Sequence, residues 1–162
     1  MLGDIQRRRE NLGARVAAKD MENCLEDTVS IFEAVLRALM RRYKRKGGES
    51  EEEIDEHFRK IGNAFQNVSR SIDIFDKNVG LPLFDGQPEQ NIARLSQIFE
   101  KRHPITHNLG VVDKKYLEKV RTAEEEGKVV LVSVDEIQYA IDALLSVFKS
   151  LYARMFFSGS ME

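Results

Sequence analysis

Apolar residues return every three or four positions along most of this chain, which is the period of an amphipathic helix. Leu25, Val29, Phe32, Leu36, Leu39 and Tyr43 share one face and predict a first helix over residues 16–46. Arg41, Arg42, Lys44, Arg45 and Lys46 crowd its last turns, and Gly47-Gly48 supplies the stop. Residues 1–15 form an N-terminal tail or an extension of this helix. Ser50-Glu51-Glu52-Glu53 is a capping box with acidic residues at the positive end of a helix dipole. Behind it, Ile54, Phe58, Ile61, Phe65, Val68, Ile72 and Phe75 alternate four- and three-residue steps. That seam predicts a second helix packed antiparallel on the first.

A Gly- and Pro-rich loop follows over residues 78–88, and a third helix begins near Pro88 or Glu89, turning Ile92, Leu95, Ile98 and Phe99 inward. Pro104 disturbs its continuation, and Asn108-Leu109-Gly110 reads as a helix end. Asp113 caps a short helix reaching Val120, and Lys128 to Val132 is a β-branched, extended run without a sheet. A second capping box, Ser133-Val134-Asp135-Glu136, opens the last helix, whose core face is Ile137, Ala140, Ile141, Leu144, Phe148, Leu151 and Met155. The expectation is an all-α fold: a four-helix bundle with one or two short extra elements, a single domain over residues 16–158.

The composition fits this picture: 42% hydrophobic and 32% charged residues over 162 positions suffice for one globular core. A net charge of −2 gives no overall pull toward nucleic acid or anionic membrane, so polyanion binding has to come from local clusters. Cys24, the single cysteine, rules out an intramolecular disulfide and reads as a small core or boundary residue. No signal-peptide core or membrane-length apolar stretch is visible, so a soluble, cytoplasmic protein is expected.

Two of the three histidines fall in one short segment, Arg102-His103-Pro104-Ile105-Thr106-His107-Asn108. On an unbroken helix the five-residue step from Arg102 to His107 turns about 140°, so a kink at Pro104 and the reach of Arg are needed to bring the two together. The segment has a plain reading as well, in which it caps and solvates a helix end with Arg102 paired to Glu100 or a nearby acid.

Arg102 and His107, separated by four residues, resemble the Arg-x4–6-His signature of the HEPN superfamily of small helical bundles found in many prokaryotic conflict systems. The flanking His103, Asn108 and Gly110-Val111-Val112-Asp113 are similar to the stand-alone bacterial members. The likeness spans about fifteen residues, and the helix count and late position of the motif agree with it. It implies a homodimer that cleaves RNA without a metal or other cofactor, in a cleft shared across a twofold axis, as a toxin or defence effector with an antitoxin or regulatory partner. His107 then carries the proton, Arg102 the phosphate, and His103 or Asn108 orients or adds a hydrogen bond. The residue types suit that chemistry: RNA brings its own 2′-hydroxyl nucleophile, His titrates near neutrality, and Arg binds phosphate oxygens in pairs. Some members carry a Tyr two residues after the motif His, where a partner enzyme attaches nucleotides; Leu109 stands there in this chain. The chain's length leaves no room for a fused nucleotidyltransferase domain.

Arg41, Arg42 and Lys44 are secondary candidates for RNA phosphates, although a basic helix end that complements the dipole explains the run more simply. His57, among Asp55, Glu56 and Arg59, reads as an ordinary surface histidine, and no metal-ligand pattern is present. The competing function is a non-catalytic helical dimer that binds a partner protein or a nucleotide.

Overall fold

The computed structural model describes residues 2–120 and 122–157, with side chains from residue 10 onward; Met1 and the expected domain end at residue 158 lie outside them. The described residues build helices α1 (Leu2–Lys46), α2 (Glu51–Ile61), α3 (Val68–Val79), α4 (Glu89–Glu100), α5 (Arg102–His107), α6 (Lys114–Lys119) and α7 (Val134–Phe156), with a 3₁₀ turn at Ala64–Gln66. No strand occurs among them; the expected extended run pairs with the segment after α5 through one antiparallel bridge, Val111 to Val129. No described helix is long and apolar enough to cross a membrane.

The first helix extends back to Leu2, so residues 2–15 are helical and the element spans 45 residues, about 68 Å. Nothing between Leu2 and Val16 breaks it, since Gly3 and Gly13 each cost only about 1 kcal/mol relative to Ala. Residues 10–20 are all exposed, and burial starts at Leu25. From there Leu25, Val29, Phe32, Leu36 and Met40 form a fully buried stripe. Each such side chain gains about 1.5–3 kcal/mol on leaving water, far more than propensity differences along the helix. Phe32 is the junction: its ring lies 5.3 Å edge-on from Phe99 of α4 and 6.1 Å stacked from Phe148 of α7.

The seam expected to form one second helix is broken. Gly62 adopts φ 56°, ψ −128°, which side-chain-bearing residues rarely reach, and its N–H closes α2 on the Phe58 carbonyl. Asn67 then starts α3 by accepting from the Arg70 N–H. Ile54, Phe58, Phe65, Val68 and Phe75 nevertheless stay buried, because the break redirects the chain without removing the apolar residues from the core. Both capping boxes form, at Ser50/Glu53 and Ser133/Glu136. In α7 the expected core residue Ile141 is 40% exposed and Val147 is buried in its stead. The helix packs on α1 and α4 and buries Ile137, Ala140, Leu144, Val147, Leu151 and Met155, which turns position 141 to the flank. Cys24 packs at the core boundary. A second, smaller cluster of Val112, Tyr116, Val120 and Val130 seats α6, and Ile105 of α5 bridges it to the main core.

His57 differs from the surface residue expected. It is half-buried beside Phe58, and its Nε2 is enclosed without a hydrogen-bond partner. Burial first, then the charge of Lys44, lowers its pKa below the ordinary 6.5, with Glu49 opposing and Lys60 adding to the shift. The folded state therefore favours neutral imidazole, and the unfolded chain binds the extra proton between the two pKa values. This stability contribution is complete above about pH 6.5 and declines as pH falls toward the folded-state value. The midpoint of thermal unfolding should fall less steeply between about pH 7 and about pH 5 in His57→Phe than in the wild type; equal slopes would show that His57 carries no such linkage.

Candidate functional site

Pro104 has no N–H for the Glu100 carbonyl, and its ring conflicts with that carbonyl in a continuing helix. The chain responds upstream of the proline. Helix α4 ends at Glu100, Lys101 turns with φ −58°, ψ −25°, and α5 starts afresh at Arg102. Pro104 thus falls in the first turn of α5, where a missing N–H costs nothing. Lys101 anchors the turn on the far side, donating to the Leu131 carbonyl at 2.6 Å and pairing with Glu136 at 2.7 Å. The other end of α5 closes at Asn108, with Leu109 at φ 52° and Gly110 at φ 79°. Asn108 Nδ2 donates to the Val111 carbonyl at 2.7 Å, so this side chain secures the loop.

Within α5, residues four apart share a face. His103 and His107 stand with ring centroids 5.1 Å apart. Arg102 and Thr106 turn toward α1, where both donate to the Glu26 carboxylate. Arg102 Nη1 also donates to Gln66 Oε1 at 2.6 Å, while Gln66 Nε2 donates to Glu33 at 2.7 Å and Arg37 Nε donates to the other Glu33 oxygen at 2.8 Å. A continuous polar chain thus runs from Thr106 across α1 to the 3₁₀ turn. Glu100 is not the partner of Arg102; it accepts from Asn67 Nδ2 at 2.7 Å and pairs with Lys119 at 3.2 Å.

These groups border an open cleft of about 750 Å³. Helix α5 contributes Arg102, His103, Thr106 and His107 to its wall, α6 contributes Lys115 and Lys119, and Asn63, Gln66, Asn67, Ser69 and Arg70 line the 3₁₀ turn and the start of α3. His107 is exposed, and its ring makes no hydrogen bond to the described residues. Burial, followed by the positive charges of Lys119 and Lys115, holds His103 below its ordinary pKa; Asp113 works against this and His107 with it. His103 is therefore neutral at pH 7, with one ring nitrogen free to accept a proton. No group of three or more His, Cys, Asp or Glu among the described residues could hold a metal ion.

The basic run on α1 lies outside this cleft. Arg41 pairs with Glu51 at 2.8 Å and Asp55 at 2.6 Å, and Lys44 binds Glu49 at 3.0 Å. Arg42 donates to the Tyr152 hydroxyl at 2.9 Å and sits 4.6 Å from the Phe156 ring centre. These side chains staple α1 to its own end, to α2 and to α7. Glu26, Gln66, Arg70, Lys115 and Lys119 were not singled out from the sequence. Each lies far along the chain from Arg102 or on another element, and no local pattern announces that they meet.

The Glu26–Arg102 pair is only about 30% exposed on both sides, with side-chain values of 31% and 28%. A double-mutant cycle of Glu26→Ala and Arg102→Ala, read by urea unfolding, should give a coupling of about 1 kcal/mol. Additive losses would mean that the two do not pair in solution.

Comparison with protein-family profiles, curated proteins and solved structures finds no match to this chain.

Proposed function

We propose that this chain is an HEPN-type ribonuclease that cleaves RNA without a metal ion. The observation that carries the reading is the gathering of Arg102, His103 and His107 on one wall of a cleft whose rim holds Arg70, Lys115 and Lys119. On this view α1, the interrupted α2–α3 pair, α4 and α7 are the four members of the bundle, and α5 carries the motif. An RNA phosphate enters beside Arg102. Two of the guanidinium's N–H directions are committed to Glu26 and Gln66, which fixes the plane of the fork and leaves further donors for phosphate oxygens.

The reaction follows from the residue chemistry. The 2′-oxygen attacks the adjacent phosphorus as its proton passes to an imidazole, and the bond from phosphorus to the 5′-oxygen breaks as that oxygen takes a proton back from the imidazolium so formed. The products are a 2′,3′-cyclic phosphate and a 5′-hydroxyl. His107, exposed at the cleft wall, exchanges the proton with substrate. His103, neutral and 5.1 Å away ring to ring, supplies the second proton site or orients His107. Arg102 stabilises charge that grows on the non-bridging oxygens. Asn108 shapes the loop that ends α5. A second copy across a twofold axis is expected to complete the cleft. Leu109, 96% exposed at the end of α5, and Leu12 and Val16, 63% and 53% exposed on the projecting part of α1, are apolar groups that such an interface would cover. The setting implied by the resemblance is a cytoplasmic toxin or defence effector held by an antitoxin.

The engagement of Arg102 by Glu26 favours a second reading, a non-catalytic helical dimer that binds a partner protein or a nucleotide. The two are separated by assay. Pure protein in excess EDTA should cleave single-stranded RNA, leave the cyclic phosphate and spare DNA, which lacks the nucleophile. His107→Ala and Arg102→Ala should each lower the rate about a hundredfold or more while remaining folded. Cleavage lost in EDTA, or kept in full by His107→Ala, overturns the mechanism; no cleavage of varied RNAs favours the second reading.

Sedimentation at micromolar concentration should show a dimer, weakened by Leu109→Lys. A monomer at that concentration, or a dimer indifferent to Leu109→Lys, would count against a shared cleft.

A further inference from the structure

The carboxylates around the cleft are already in use. Glu26 is taken by Arg102 and Thr106, and Glu100 by Lys119 and Asn67. Two cations on the lining are left without an acidic partner among the described residues: Arg70, near the start of α3, and Lys115 on α6. Both are exposed, so neither is held in place by packing. Arg70 uses only its backbone N–H, on the Asn67 cap. Lys115 is one of the positive charges that depress His103, which places its field on the motif. Exposed cations usually find a carboxylate or lie over solvent. These two border a concave surface of about 750 Å³, a volume ample for more than a single phosphate group.

We propose that Arg70 and Lys115 form a second anion subsite, which holds a phosphate of the strand next to the one at Arg102. The inference rests on the ribonuclease reading for its ligand class, single-stranded RNA. The subsite explains why the cleft keeps an excess of positive charge while the whole chain is slightly acidic. Phosphates neutralised by Arg or Lys release condensed counterions, so each contact has its own signature in salt dependence. Arg41 and Lys44 on α1, by contrast, are satisfied by Glu49, Glu51 and Asp55.

The test uses the full chain and a 2′-O-methyl oligoribonucleotide, which has no free nucleophile, with binding followed by fluorescence anisotropy over a salt series. Arg70→Gln and Lys115→Gln should each weaken binding and lower the magnitude of the log–log salt slope, and the double variant, which loses the phosphate contact altogether, should lower it by about 0.7. With cleavable RNA, both should raise KM. Lys149→Gln, an exposed cation on α7, serves as the control that leaves slope and KM unchanged. If Arg70→Gln and Lys115→Gln bind as the wild type does while Arg102→Gln binds weakly, the subsite is overturned and the ribonuclease reading stands. If both lower the slope but no RNA is cut, the subsite stands and the ribonuclease reading falls. If the oligonucleotide does not bind at all, both fall.

Discussion

A single missing hydrogen bond, from the position of Pro104 to the carbonyl of Glu100, organises the cleft-bearing end of this molecule. Without it α4 stops at Glu100, and α5 starts anew at Arg102 after a single turn residue, Lys101. That short helix is too brief to be stable alone. It holds its course because Pro104 is buried, Ile105 joins two apolar clusters, and Arg102 and Thr106 close on Glu26. The motif is therefore fixed from three sides, by a backbone constraint, by packing and by a charge-assisted pair. The imidazoles of His103 and His107 face the remaining, open side.

Electrostatics treats the cations at the end of α1 and those around the cleft differently. Those at the end of α1 meet acids on α2 and the linker before it, and these pairs are local staples whose exposed members contribute little each. Around the cleft the acids are fewer, and hydrogen bonds already engage them. A chain with net charge −2 can in this way present a basic concavity. The depressed pKa of His103 belongs to the same arrangement, since burial and the α6 lysines both disfavour its charged form.

The long α1 joins these parts. Its buried stripe from Leu25 to Met40 anchors α4 and α7 through Phe32, and its flank supplies Glu26 to α5 and Glu33 to the 3₁₀ turn. The same helix runs past the body as an exposed segment over residues 10–20. Burial of one face and hydrogen bonding from another make α1 the element on which the core and the cleft both depend.

What the sequence determined by itself was whatever depends on neighbours within a turn or two. The capping boxes at Ser50 and Ser133, the Asp113 cap, the end at Asn108 and the inward faces of α1 and α4 were legible, because helix period and capping are local. The Arg102/His107 motif was legible as a spacing. The break at Gly62 was not, since an apolar seam keeps its rhythm whether or not the backbone turns beneath it. The partner of Arg102 was also out of reach: Glu100 is near in sequence, but Glu26 is near in space. Tertiary structure alone decided that choice, along with the exposure of Ile141, the enclosure of His57 and the placing of Arg70 and Lys115 on one cleft. Each depends on how separate helices are rotated and docked, and that is set by the sum of many packing contacts, with no local pattern to record it.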